Sequence, residues 1–471
     1  MERDRGKKLA INTIIIGIGN MSTQIISFFL LPLYTSILTT EEYGIYDLIV
    51  TISTFLLPAI TLLMEESMFR FLIDCKDSND RKKVISQTTI YILISSIIFL
   101  VIANILNLFF KIPYMFIGII YIITCIISAL RNSILRGIGE IKSYTIINFI
   151  SSIVNIVLKV LLIAVFRFGV YGLLVSGIIA NLLSSIIVFI KIKLYRYISI
   201  KAYNKELMKS MIKYSIPLVP NSVSWSIVNL SDRLVISSFI GTAANGIYSM
   251  AYKFPNLMNT IYGFFYTAWK ESSAKAVKDE DVKEFFNKIF KMLANMMFAV
   301  SICMITCMPL FFSVFIKEAY NEAYLYIPIL VIAMYYNNMS GYYGGIFSGY
   351  KDTKIMGMTT IIGAIINILV DLLLIKVIGV YAAAISTLVS CAIVYYYRKQ
   401  KVKKYVKIES EKLIVGKIIL LISLVLYYRN SNFIVKVLNL LIVVIYSIYI
   451  NREVIGNIIS EVQKKILYHK E

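Results

Sequence analysis

Histidine is almost absent from this 471-residue chain; its one copy, His469, stands near the C-terminal end, which excludes a histidine-based catalytic or metal centre. Cysteine is scarce too. Cys303 and Cys307 share a helix face without neighbouring metal ligands, so neither a disulfide framework nor a metal knot is expected. Charged residues make up only 16% of the chain, against 58% hydrophobic residues. At a mean hydropathy of +0.76, a soluble chain of this length could not hide its apolar side chains in a core. Long external loops are also missing, whereas an enzyme acting on an external glycan needs a larger external domain or a carboxylate-rich loop. Residues 1-8 are charged, but the apolar stretch after them is too long for a signal-peptide core and is expected to remain as the first helix.

What fills the chain instead is a succession of apolar runs of about 20 residues, each sufficient for a ~30 Å hydrocarbon layer. Spans are expected near 10-36, 44-66, 85-109, 113-136, 143-166, 169-192, 214-240, 245-268, 287-316, 323-348, 354-376, 379-397, 412-428 and 433-451. The fold class is therefore an all-α polytopic membrane protein, with two parallel six-helix lobes around a central cavity and two C-terminal transmembrane helices, about 14 spans. The expected divisions are an N-terminal lobe at 1-193, a cytoplasmic linker at 194-213 and a C-terminal lobe at 214-400; residues 401-471 add two spans and an amphipathic tail.

The lobes are copies of one another. Glu42-Tyr43-Gly44-Ile45-Tyr46 reappears as Ala244-Asn245-Gly246-Ile247-Tyr248, an offset of 202. The same offset carries Gln24 to Ser226, Ser27 to Asn229, Leu31 to Arg233, Asp47 to Ser249, Thr51 to Lys253 and Thr54 to Asn256. A second block repeats at 212, matching Asn148 with Thr360, Asn155 with Asn367 and Lys159 with Asp371. Parallel repeats of this kind build transporters whose halves rock around a central site.

A net charge of +21 invites a nucleic-acid reading, which its distribution rejects. With loops assigned alternately to the two sides, 39 of the 48 Lys and Arg fall on one side and six on the other: Lys111, Arg167, Lys317, Lys376, Arg429 and Lys436. That asymmetry places both termini in the cytoplasm. Basic clusters such as Arg398 to Lys407 then read as topology signals and contacts for anionic membrane lipid. No soluble domain is long enough for a nucleic-acid groove.

Within the spans, polar residues follow steps of three and four, which superimpose on one helix face. Thr13, Gly17, Asn20, Gln24 and Ser27 do so in the first span, and Asp47, Thr51, Thr54, Pro58, Thr61 and Glu65 in the second. Ser222, Ser226, Asn229 and Arg233 follow in the seventh, and Ser249, Lys253, Asn256, Thr260, Gly263 and Thr267 in the eighth. Matched faces imply a shared, water-accessible cavity. Isolated Ser, Thr or Asn residues also serve as hydrogen bonds between neighbouring helices, at about 0.6 kcal/mol each. Charges in hydrocarbon cost at least ~2-3 kcal/mol if left unpaired. Arg233, Lys253 and Lys159 are therefore candidate substrate contacts, with Asn229, Asn256 and Gln24 beside them, and a cationic cavity wall suits an anion.

The tract Ser215-Ile216-Pro217-Leu218-Val219-Pro220-Asn221, followed by Ser231-Asp232-Arg233 and Asn245-Gly246-Ile247-Tyr248-Ser249, resembles the central block of bacterial polysaccharide and O-antigen flippases. Glu41-Glu42-Tyr43-Gly44-Ile45-Tyr46 is similar to their amino-terminal signature, and the resemblance covers approximately residues 1-400. It implies an oligosaccharide joined through pyrophosphate to undecaprenol, moved from the inner to the outer leaflet of the bacterial cytoplasmic membrane, with polysaccharide assembly enzymes as partners. The superfamily also contains lipid II flippases and multidrug and toxin extruders. By resemblance to the sodium site of some lipid II flippases, Asp232, Asn367, Asp371 and Thr387 are candidates to hold a sodium ion or a proton as coupling ion, with the Ala383 carbonyl a further ligand; no other cofactor is implied. A salt bridge, for example Asp371 with Lys159, is the structural alternative. The first span has no Arg or Asp on its polar face, a departure from the lipid II flippases.

Three amphipathic stretches remain: Leu207, Met208, Met211 and Ile212 in the linker; Val282, Phe285, Phe286 and Ile289; and Ile455, Ile458, Ile459, Val462 and Ile466 in the tail. Each is expected to pack on the protein or on the membrane surface. Two other functions stay open: a multidrug extruder of organic cations, and a membrane glycan polymerase or ligase. Cysteines introduced at Lys111 and Lys376 should react with an impermeant reagent from outside intact cells, while one at Lys401 should react only after permeabilisation.

Overall fold

The structure, a computed structural model, describes residues 30–75, 77–199, 202–277, 279–409, 413–429, 432–456 and 460. Among them every regular element is a helix, and the fold is that of an all-α polytopic membrane protein. The chain divides into two compact units, Met1–Leu234 and Val235–Glu471.

The first unit contains α1 (Leu31–Ile37), α2 (Thr40–Thr61), α3 (Met64–Asp74), α4 (Ser78–Phe110), α5 (Met115–Gly137), α6 (Ile141–Val160), α7 (Gly169–Lys191) and α8 (Lys205–Ser215). It also takes most of α9 (Val219–Phe239). The second unit contains α10 (Thr242–Ala276), α11 (Val282–Phe315), α12 (Ala323–Gly349), α13 (Thr353–Ile378), α14 (Tyr381–Val402), α15 (Ile414–Tyr428) and α16 (Phe433–Ile450). Among the described residues, eight helices are long and apolar enough to cross a bilayer. The long helices α9, α10, α12 and α14 fall outside that set although their lengths are sufficient, because they carry more polar residues.

One helix of the first unit is broken. Leu62 and Leu63 both adopt left-handed backbone conformations, at φ 47° and 54°, between α2 and α3. Each costs a non-glycine residue roughly 1–2 kcal/mol. The linker helix α8 covers the next stretch: Met208 and Met211 are buried with Met64, Met68, Leu72, Val84 and Ile85, and the Ser67 hydroxyl donates to the Met211 carbonyl at 3.0 Å. Its apolar face thus packs on protein.

In the second unit the core is aromatic. Trp269 of α10 stacks on Tyr342 of α12 at 4.6 Å, and its Nε1–H donates to the Tyr342 carbonyl at 2.9 Å. Phe286, from the second amphipathic stretch, is fully buried in this cluster. The helices α15 and α16 are fastened at two ends. Tyr324 and Tyr427 stack at 3.8 Å, and each hydroxyl donates to the other residue's carbonyl, at 3.1 and 2.7 Å. Asn295 of α11 donates to the Ile450 carbonyl at 3.1 Å. Of the tail stripe, Ile455 lies within the described residues, whereas Ile458, Ile459, Val462 and Ile466 lie outside them.

Each unit also buries an arginine among neutral oxygens. Arg131 of α5 donates to Ser128, Asn132, Asn148 and Ser184. Arg398 of α14 donates to Thr359, Thr360 and the carbonyls of Ser340 and Met356. Asn148 and Thr360 are repeat partners, so the two lobes anchor the same position of their fifth helix from different neighbours. Arg398 is only 5% exposed; the first member of the basic cluster at Arg398 to Lys407 is a packing residue rather than a surface charge. A methyl group added at Gly345 would collide with the Trp269 indole, which stacking and its hydrogen bond hold in place. Gly345→Ala should therefore destabilise the protein by about 1–3 kcal/mol, read as a lower melting temperature in detergent.

Candidate functional site

The Glu41-Glu42-Tyr43-Gly44-Ile45-Tyr46-Asp47 tract starts α2, and its geometry begins with a cap. The Thr39 hydroxyl accepts from the Glu42 backbone N–H at 3.1 Å, while the Glu42 carboxylate accepts from the Thr39 N–H at 2.9 Å. With the first turn fixed, Tyr43, Tyr46 and Asp47 fall at steps of three and four on neighbouring sides of the helix. Tyr43 is buried against Tyr34 of α1, with ring centroids 6.5 Å apart.

Two candidate cations converge on this tract. Lys159 of α6 donates to the Tyr46 hydroxyl at 3.0 Å, and its ammonium lies 5.2 Å from the Tyr46 ring centroid and 5.9 Å from that of Tyr34. A π-helical turn, Leu161–Val165, follows directly, the kind of irregularity that concentrates at functional positions. Arg233 of α9 donates through Nε to Asp47 at 2.6 Å and through Nη1 to the Asn229 carbonyl at 2.8 Å. Both side chains of this ion pair are nearly buried, at 9% and 10% exposure. The Asn229 carbonyl is thus part of this network, and the residue is exposed. Asp47 and Tyr46 are functional neighbours that charge and periodicity alone do not single out. Their signal is the tract itself, in which Tyr46 and Asp47 sit about one turn from Tyr43.

The second unit holds the other two groups. The Asn367 amide of α13 donates to Ser386 Oγ at 3.1 Å and to Thr387 Oγ1 at 3.5 Å, both on α14, and Asp371 lies fully buried one turn beyond Asn367. Asn367, Asp371 and Thr387 are thus on two packed helices, and Ser386 joins them. The Ala383 carbonyl accepts from Ser386 at 2.9 Å. The side-chain oxygens of Asn367, Asp371, Ser386 and Thr387 are hard ligands, of a kind that fits a hard monovalent cation or a proton. Asp232 belongs to the first unit and is 2% exposed. Among the described residues no three His, Cys, Asp or Glu converge on one point.

Along α10, Lys253, Asn256, Thr260, Gly263, Thr267 and Lys270 follow each other at steps of three and four. All but the half-buried Thr260 are exposed, and space beside Gly263 is open. Lys253 makes no ion pair among the described residues. Gln24, Thr13, Gly17, Asn20 and Ser27 lie outside the described residues.

A family model described as polysaccharide biosynthesis protein matches residues 9–269, and a second, MatE, matches residues 217–373. No curated protein matches the chain. Among solved structures, a lipid II flippase, MurJ, in an inward closed conformation is similar at a TM-score of 0.69 and 18% identity, over 94% of this chain and 100% of that one. An inward-facing multidrug resistance MATE family transporter of the MOP superfamily is similar at a TM-score of 0.68 and 14% identity, over 83% and 98%. An outward-facing transporter of that family reaches 0.57 at 16% identity, over 83% and 94%. At these identities the likeness is one of fold. Arg233→Gln should cost about 3–5 kcal/mol by removing the cation that the buried Asp47 pairs with, and Asp47→Asn combined with Arg233→Gln should recover most of that loss in thermal melts.

Proposed function

Because the chain belongs to the polysaccharide biosynthesis protein family, we propose that it is a flippase for an undecaprenyl-pyrophosphate-linked oligosaccharide. It carries that lipid from the inner to the outer leaflet of the bacterial cytoplasmic membrane by alternating access, for polysaccharide export, with both termini cytoplasmic. It acts as a transporter rather than an enzyme, supplying glycan to assembly enzymes.

The observation that carries this reading is the open polar stripe of α10. Helix α4 looks different: Leu93, Ile97, Val101, Leu108 and Phe109 are exposed, and the one polar residue exposed among them, Asn104, is uncharged and donates to the Leu100 carbonyl of its own helix. A stripe bearing Lys253 and Lys270, with Asn256 and Thr267 between them, is costly against acyl chains and suited to water, sugar hydroxyls and phosphate. Lysine offers phosphate a point charge. Lys159, held by Tyr46, and Arg233, held by Asp47, add preorganised cations to the substrate path in the first unit. The lipid II flippase also matches a larger share of this chain than the multidrug transporters do, in keeping with a substrate anchored in lipid.

The coupling ion, sodium or a proton, is assigned within the second unit to Asn367, Asp371 and Thr387, and Asp232 of the first unit is a separate candidate for it. The buried oxygens of the three in the second unit suit either, and a bound cation would favour one transport state over the other. A multidrug antiporter is the second reading, favoured by the MatE match and by the burial of Asp232 and Asp371, carboxylates to which an organic cation would be drawn. Lys253→Gln should lower glycan export in cells at least tenfold with unchanged membrane abundance. Unchanged export, together with extrusion of fluorescent organic cations by the parent protein, would establish the second reading instead.

A further inference from the structure

The duplicated helix is whole in one copy and broken in the other. Shifted by 202, the residues from Thr40 to Asp74 become Thr242 to Ala276, the bounds of α10, which runs unbroken for 35 residues. In the first copy the same length is split into α2 and α3 by left-handed Leu62 and Leu63. Their repeat partners, Phe264 and Phe265, are helical. The duplicated helix can therefore run straight, and the break is peculiar to the first copy.

A carboxyl group sits at that break. Glu65 is 4% exposed, and among the described residues its Oε2 has no hydrogen-bond partner. Its repeat partner is Thr267, an exposed residue that donates to the Gly263 carbonyl. The neighbouring acid, Glu66, takes the nearby cation: Arg136 of α5 donates to it at 2.9 Å. Among the described residues, Tyr91 of α4 and Arg136 are the other titratable groups around Glu65. The face of α8 that packs on α3 brings Met208, Met211 and the Ser215 hydroxyl, and α2 contributes Thr61. Burial of a carboxyl whose Oε2 lacks a partner among the described residues disfavours its ionised form.

The geometry points to Glu65 as a proton-binding site whose occupancy sets the α2–α3 junction: protonated, it stays buried and the helix is broken; ionised, it leaves for water and the helix straightens towards the form of α10. The proton comes from, and returns to, the aqueous phase that Glu65 reaches on leaving. This gives the first lobe a coupling group of its own, and as a coupling role it rests on the transport reading above. The left-handed leucines act as the strained element whose two states the proton selects.

The test uses the full chain in liposomes, with the five native cysteines replaced and spin labels at Thr54→Cys on α2 and Ile73→Cys on α3, both exposed positions. An unbroken helix separates them by ~28 Å, and a broken one brings them closer. Pulsed electron resonance between about pH 5 and about pH 9 should show the distance lengthening as pH rises, and Glu65→Gln should hold the short distance throughout. A distance independent of pH in the parent protein would overturn the proposal, as would a Glu65→Gln variant that still follows pH. If the pH-dependent distance is found but the same liposomes move no lipid-linked glycan, the flippase reading fails and the proton site stands.

Discussion

The buried ion pair between Asp47 and Arg233 is the interaction on which the first unit's candidate site depends. It ties α9 to the second turn of α2, where the capping box at Thr39 and Glu42 has already set the helix phase. Tyr43 and Tyr46 flank Asp47 on that turn, and Tyr46 in turn holds Lys159. One cap, two tyrosines and one carboxylate therefore position both cations. In a low-dielectric setting such a pair is a specificity device more than a source of stability. Here it fixes a guanidinium within a region where a free one would be expelled.

The duplicated architecture explains why charge could be added so selectively. The scaffold is repeated at its structural positions: the Gly-Ile-Tyr tract, the helix bounds Thr40 to Asp74 and Thr242 to Ala276, and the arginine-held positions Asn148 and Thr360. The departures are the candidate substrate and ion positions. Leu31 became Arg233, Thr51 became Lys253, and Lys159 is matched by Asp371. Glu65 and the break before it belong to the same class of departure, on the side of the repeat that lacks the cationic stripe of α10.

Much of this is legible in the amino-acid sequence. Hydropathy locates the helices because a bilayer imposes one length on every span, and the polar steps of three and four mark the faces that avoid lipid. The charged residues stand out in the same way, but their partners do not. Nothing in a periodic pattern says that Arg233 meets Asp47, since they lie on separate helices and the pairing depends on packing. Arg398 reads as a surface charge because it opens a run of lysines, whereas it turns inward onto α13. The break at Leu62 and Leu63 carries no glycine or proline to announce it, and leucine is a strong helix former. Tertiary context overrides local propensity there, which is the usual mark of a position under functional constraint.

Movement of a pyrophosphate-linked glycan lipid across the bilayer is measured most directly as translocation in liposomes. These would contain the purified protein and an undecaprenyl-pyrophosphate oligosaccharide, scored by the fraction of glycan that an impermeant lectin can reach. That fraction should rise with time in parent liposomes, and stay at the protein-free level with Lys253→Gln. No rise above protein-free liposomes, with the protein folded and inserted, would contradict a flippase.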